Sequence, residues 1–299
     1  MPTSEGVFEV PEISGDERVR VFRRTLAATD TFDGVEADAY VVITDRYVIV
    51  CDTLFCPEDM AVVMDEVRHE LTGRQLLVIN SHADWDHAWG NNYFSAFTPI
   101  IGHDFTRIRL LSEEAQGQLQ DYQRRSPLFQ NVVLTPPTIT FSRALTLYGG
   151  DLTLKLLKAP GHTSDHIAIW LPESRLVLAF DAAEYPLPLL ESARSVQMML
   201  STLQRFLLLQ PERILCSHGK TTSITTVQAN LDYLREIERR CRTFLADHHP
   251  SSTDLEQAAL LINYPFDEVV GDIHEPIDRE FYAAAHEENV RYIMGWAMH

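Results

Sequence analysis

Apolar and polar positions along the chain follow two periods. Runs that alternate or stay apolar, bounded by turn residues, predict strands over 19–26, 39–44, 47–51, 76–80 and 99–102, with 19–26 as an edge strand and Asp45-Arg46 as a hairpin turn. Pro57 opens a helix in which Met60, Val63, Met64, Val67 and Leu71 keep a three-or-four spacing, and Gly73 closes it. Helical spacing then covers 104–124 until Pro136-Pro137 breaks the chain. The second half predicts strands over 138–141, 144–148, 152–158, 166–171, 176–180 and 213–217, with Gly149-Gly150 as a hairpin turn. Helices are predicted over 196–209, 225–245, 254–262 and 279–293. Strand clusters interleaved with amphipathic helices predict an α/β protein of two packed sheets with helices outside. The chain reads as one domain over 1–299, with a polar lead-in over 1–36 and a helical C-terminal extension over 250–299.

Directly after the apolar run 76–79, residues 81–91 read Ser-His-Ala-Asp-Trp-Asp-His-Ala-Trp-Gly-Asn. His82, Asp84, Asp86 and His87 thus crowd two imidazoles and two carboxylates into one short loop. Alternate residues of an extended loop point the same way, so His82 and Asp84 can converge on one point. Asp86 and His87, where the chain turns into the next element, can serve a second. Nitrogen and oxygen donors at this density suit a pair of transition metals; the competing reading is a charged loop that caps a helix. Three more donors stand at the carboxyl ends of predicted strands: His162 in Pro160-Gly161-His162-Thr163, Asp181 after Phe180, and His218 in Ser217-His218-Gly219.

The order His-x-Asp-x-Asp-His, then His, Asp and His, resembles the metallo-β-lactamase superfamily over about residues 37–235. The family's usual pattern is His-x-His-x-Asp-His followed by the same three ligands. The resemblance implies a four-layer αββα sandwich. It also implies two divalent metal ions: one at His82, Asp84 and His162, the other at Asp86, His87 and His218, with Asp181 bridging. Asp84 stands where the family carries its second His. A carboxylate is harder and more negative than imidazole, which favours iron, manganese or a more weakly held zinc over a nitrogen-only zinc site; zinc is still the first expectation, with iron or manganese the alternatives. Flavodiiron proteins of the same superfamily carry Glu at this position and hold iron. A carboxylate-rich di-iron redox protein is therefore the alternative reading, although 250–299 is far too short for the flavodoxin domain they carry.

The function implied is a metal-dependent hydrolase in which a metal-bound hydroxide attacks a small ester, lactone, thioester or amide. Asp86 would orient the hydroxide and return a proton. A metal-binding protein without catalysis is a third reading, opposed by the complete ligand set. No Gly-x-Ser-x-Gly elbow or Gly-rich phosphate loop offers a competing chemistry. Tyr185, close after Asp181, is a candidate donor to a developing oxyanion, and Lys220 a candidate substrate-anion clamp; a solvent or core tyrosine and a surface lysine are the plainer readings. Glu184 is a candidate pocket residue. Asp52, ending a strand, could hydrogen-bond a ligating His. His103 reads as structural and His166 as a core histidine. Trp85 and Trp89 either wall the pocket or pack.

Composition narrows the partners. Against 25 Lys and Arg stand 43 Asp and Glu, a formal charge of -18 that repels nucleic-acid backbones. No apolar run is long enough to span a bilayer, and the N-terminus lacks the pattern of a secretion signal. The four cysteines are scattered and predict buried free thiols in a reducing cytoplasm. The expected partner is a small-molecule substrate, with no nucleic acid and no membrane; a homo-oligomer is left open.

Overall fold

Apolar runs of the first half pair into one sheet because each strand needs a neighbour for its backbone hydrogen bonds. In the computed structural model, which describes residues 6–26, 34–219, 221–248, 250, 254–271 and 277–298, the strands are β1 (Gly6–Glu9), β2 (Val19–Leu26), β3 (Val35–Ile43), β4 (Tyr47–Cys51), β5 (Gln75–Ile79), β6 (Ile100–His103) and β7 (Ile139–Phe141). They form a seven-stranded sheet in sequence order. The β1 to β4 pairings are antiparallel and those from β4 to β7 parallel. The remaining strands are β8 (Ala144–Tyr148), β9 (Thr153–Lys158), β10 (Ile167–Leu171), β11 (Leu176–Phe180) and β12 (Arg213–Cys216). These make a five-stranded sheet in the order β12-β11-β10-β9-β8. Strands β10 and β11 are buried at every position, which is why they read as unbroken apolar runs.

The α-helices are α1 (Pro57–Glu66), α2 (Trp85–Ala88), α3 (Asp104–Leu110), α4 (Glu113–Arg125), α5 (Val196–Leu209), α6 (Thr225–Leu245), α7 (Ala258–Leu261), α8 (Phe266–Val270) and α9 (Arg279–Ala297). Two compact units divide the chain: Met1–Lys158 with Asp165–Leu178, and Ala159–Ser164 with Ala179–His299. In the first, α1 buries Met60, Val63 and Met64 in a core with Phe22, Val41, Val48, Val50 and Val78. Trp89 belongs to that core, with ring centroids 5.3 Å from Tyr122 and 5.6 Å from Phe129, and Trp85 packs 4.9 Å from Phe55. Both tryptophans therefore pack against aromatic neighbours.

Four expectations change in detail. The helix opened by Pro57 ends at Glu66, and Arg68–Leu71 is a 3-10 turn, so the helix does not run on to Gly73. The strand Val19–Leu26 is an inner strand, because β1 pairs outside it. The helix predicted over 104–124 is two helices, because the Ser112 hydroxyl accepts the Ala115 amide at 3.1 Å and caps a new start. The segment expected as a helix over 254–262 begins as a 3-10 turn, Asp254–Gln257, before α7. The thiols of Cys51, Cys56, Cys216 and Cys241 are all free and buried, as expected.

Candidate metal centre

In the first unit the parallel register of β4 and β5 sets Cys51 opposite Ile79, so Asp52 and the His-rich loop leave neighbouring strand ends together. The Asp52 amide donates to the Ile79 carbonyl at 2.8 Å. Its backbone is left-handed, with φ of 64°, a conformation that Asp tolerates better than most residues. This turn aims a fully buried carboxyl at the loop. Its Oδ1 accepts the Ser81 amide at 2.6 Å, and its Oδ2 accepts the Ser81 hydroxyl at 2.7 Å. The same Oδ2 lies 2.9 Å from His87 Nδ1, and Ser81 Oγ lies 2.9 Å from His82 Nδ1.

These bonds decide the histidine tautomers. The Ser81 hydroxyl spends its proton on Asp52, so it accepts from His82 Nδ1; Asp52 accepts from His87 Nδ1. Both rings then carry a proton on Nδ1, so that in the neutral tautomer Nε2 is the atom able to bind a metal. His82 Nε2 lies 3.3 Å from Asp84 Oδ2, and His87 Nε2 lies 3.5 Å from Asp86 Oδ2. The two ring centroids lie 4.2 Å apart, and both rings are fully buried. Gly90 lets the loop settle this closely: a Cβ there would lie 2.0 Å from the Thr53 carbonyl oxygen. Asp84 occupies the position before α2 but makes no side-chain cap, which removes the capping-loop reading for it.

The pattern missed Arg109, in the last turn of α3. Its Nη2 donates to Asp84 Oδ1 at 2.6 Å and its Nη1 to Asp165 Oδ1 at 2.5 Å. Burial alone would lower the Arg109 pKa, but the charges of Asp84 and Asp165 and the hydrogen bonds to them outweigh it and raise it. No sequence signal singles Arg109 out among its helix's polar positions. His103 has both nitrogens in structural bonds, Nδ1 accepting the Phe105 amide and Nε2 facing the Ser142 carbonyl, each at 3.1 Å. His166 is buried, with its ring 4.8 Å from that of His82.

In the second unit His162, Asp181 and His218 gather on three loops. The Ser217 amide donates to the Phe180 carbonyl at 3.2 Å, tying the loops after β11 and β12 together. The Thr202 hydroxyl of α5 donates to the Pro160 carbonyl at 2.8 Å and anchors the His162 loop. Asp181 Oδ2 lies 3.5 Å from both His162 Nε2 and His218 Nε2. At Gly219, φ of 86° and a would-be Cβ 2.4 Å from the Tyr185 carbonyl oxygen place the Tyr185 backbone against the His218 loop. Lys220 lies outside the described residues.

Glu184 is held more firmly than its sequence context suggests. Its amide donates to Asn230 Oδ1 at 2.9 Å, Asn230 Nδ2 donates back to its carbonyl at 2.8 Å, and the Tyr282 hydroxyl donates to its Oε1 at 2.5 Å. Tyr282 lies on α9, so the C-terminal extension helps build the second unit. Burial pushes the Glu184 carboxyl up to about 7, helped by Asp181 and opposed by His218, the Tyr282 bond and His162. The folded state then holds a proton that the unfolded chain, titrating near 4.5, releases. Stability of the metal-free protein is therefore expected to fall as pH rises from about 4.5 to about 7, and Glu184→Gln to flatten that fall. Urea unfolding at a series of pH values checks this; identical slopes in both proteins would refute it.

The donors fit metal ions. All seven are imidazoles or carboxylates, and two of the rings are oriented through Nδ1 as metal-binding histidines are. Comparison with known proteins agrees. A family model described as the metallo-beta-lactamase superfamily matches residues 33–218, well over half of the chain. No curated protein matches the sequence. Among solved structures, a metallo-beta-lactamase from Pontibacter korlensis aligns with 15% identity and a TM-score of 0.58, covering 76% of this chain and 97% of that one. The metallo-beta-lactamase FIM-1 from Pseudomonas aeruginosa, in its mono-zinc form, gives 16% identity and 0.55 over 77% and 96% of the two chains. The metallo-beta-lactamase IND-7 gives 13% and 0.57 over 77% and 98%. These likenesses bear out the αββα sandwich, and among the described residues no helix is long and apolar enough to cross a membrane. The chain belongs to the metallo-β-lactamase superfamily.

Proposed function

We propose that His82, Asp84, Asp86, His87, His162, Asp181 and His218 hold two divalent ions, and that the protein hydrolyses a small ester, lactone, thioester or amide. The donor sets would be His82, Asp84 and His162 for one ion and Asp86, His87 and His218 for the other, with Asp181 shared. The observation that carries this reading is the Asp52–Ser81–His82–His87 network. It uses buried hydrogen bonds to fix the orientation of two imidazoles through Nδ1, which packing alone does not require.

When bound, the ions would supply a water acidified from about 15.7 toward about 7 and a Lewis acid for the scissile carbonyl. The chain's own part is positional. Asp86, at the start of α2, is the group that would orient the attacking water and carry its proton to the leaving group. Tyr185, beside the His218 loop, would donate to the oxygen that gains charge, and Lys220 would attract an anionic substrate group. Zinc is the expected metal, and the cytoplasm the expected compartment.

The test is removal and return of metal. Exhaustive chelation is expected to abolish turnover on an ester, lactone and thioester panel, and about two ions per chain to restore it. Full activity after chelation would overturn the reading. Iron in the purified protein, with oxygen consumed and no hydrolysis, would favour the di-iron redox alternative.

A further inference from the structure

Asp84 is where this chain leaves its family's usual ligand pattern, and within the first unit its two oxygens face different partners. Oδ2 lies 3.3 Å from His82 Nε2, whereas Oδ1 accepts from Arg109 Nη2 at 2.6 Å. Arg109 is itself fixed from behind: its Nη1 donates to Asp165, a carboxyl that is fully buried. The guanidinium is planar and rigid, so occupying both terminal nitrogens leaves it one orientation. Its side chain is 35% exposed, so it is not an uncompensated buried ion.

An imidazole is a neutral donor that offers one atom. A carboxylate brings a negative charge, two donor atoms and a shorter reach, so it can chelate, swing or bridge. A guanidinium holding one carboxylate oxygen removes the second donor and offsets the charge. We propose that Arg109 is a positioning residue that turns Asp84 into a charge-compensated donor of a single oxygen, so that the Asp84–Arg109 pair replaces the imidazole of the usual pattern. This rests on the proposed reading of Asp84 as a ligand. The metal preference expected from a bare carboxylate is accordingly softened: the position accepts ions as a near-neutral oxygen donor, and its affinity depends on Arg109.

The experiment measures metal content and affinity rather than turnover alone. Wild type, Arg109→Gln, Arg109→Lys, Asp84→Ala, Asp84→His and the double variant Asp84→His with Arg109→Gln are titrated with zinc against a chromophoric chelator. Visible spectra are recorded for the cobalt-loaded forms. Arg109→Gln is expected to weaken the weaker-bound ion by about 10–100-fold and to change the cobalt spectrum. Arg109→Lys keeps the charge but not the fork and is expected to fall between. In the Asp84→His background the same Arg109→Gln change is expected to do nothing or to tighten binding, because the cation no longer has a carboxylate to hold. If Arg109→Gln does not fold, Arg109→Lys decides the matter, since unchanged affinity and spectrum there would sink the proposal. Loss of one ion in Asp84→Ala with no effect of either Arg109 change would refute the role of Arg109 while leaving Asp84 a ligand. Full metal content in Asp84→Ala would instead remove the ligand assignment itself.

Discussion

Asp86→Ala is expected to lower turnover by about 10³-fold or more while the protein still folds. General acid–base groups typically contribute about 10²–10⁴-fold, and Asp86 is assigned both the orienting and the proton-carrying task. Its carboxyl sits at the start of α2 with Oδ2 3.5 Å from His87 Nε2. It takes no part in the Asp52–Ser81 bonds that secure the loop, so its truncation leaves that scaffold intact. The measurement is kcat on the best substrate of the panel at saturating metal, beside a thermal unfolding curve and elemental analysis. Near-wild-type kcat in a fully metallated Asp86→Ala would end the catalytic assignment.

Asp52 is expected to give the second large effect, by a different route. Replacing it with Ala strands the Ser81 amide, the Ser81 hydroxyl and the His87 Nδ1 proton in a fully buried space. Hydrogen bonds to a charged acceptor are worth about 1.5–3 kcal/mol each, so a loss of about 2–4 kcal/mol in stability follows even if part of the network rearranges. Ala is also a poor residue at φ of 64°. Asn separates the two contributions, because it tolerates the left-handed backbone and can still accept the Ser81 amide. Its NH₂ group then faces His87 Nδ1, which must accept, so the proton moves to Nε2 and the ring ceases to be a donor to metal. Asp52→Asn is therefore expected to be nearly as stable as wild type but to bind metal about 10–100-fold more weakly. Denaturant midpoints and chelator competition make the comparison. Unchanged metal affinity in Asp52→Asn would show that Asp52 does not set the His87 tautomer.

Much of the molecule was legible in one dimension because its signals are local. The strands Tyr47–Cys51, Ala144–Tyr148 and Leu176–Phe180 and the helices Val196–Leu209 and Thr225–Leu245 stand where their periodicity puts them. Burial of one face, or of both, writes itself into a period that a short window can read. The candidate donors were legible for the same reason: histidine and aspartate crowded on one loop, or placed alone at strand ends, stand out in a short window. Where a helix divides was harder to see. The start of α4 at Ser112 depends on a cap whose strength competes with continued helical spacing.

From the sequence alone came the class of the fold, the candidate donor side chains and the one departure from the usual pattern at Asp84. Tertiary structure alone decided what those donors lean on. Asp52 meets Ser81 and His87 only because β4 and β5 pair in parallel with Cys51 opposite Ile79. Arg109 reaches Asp84 across 25 residues of chain, and Tyr282 of the C-terminal helix reaches Glu184 across 98. Periodicity encodes how a segment meets the core as a whole, whereas a hydrogen-bond partner is chosen by strand register and helix docking. That choice is made by the folded chain in three dimensions and leaves no mark on the spacing of either residue.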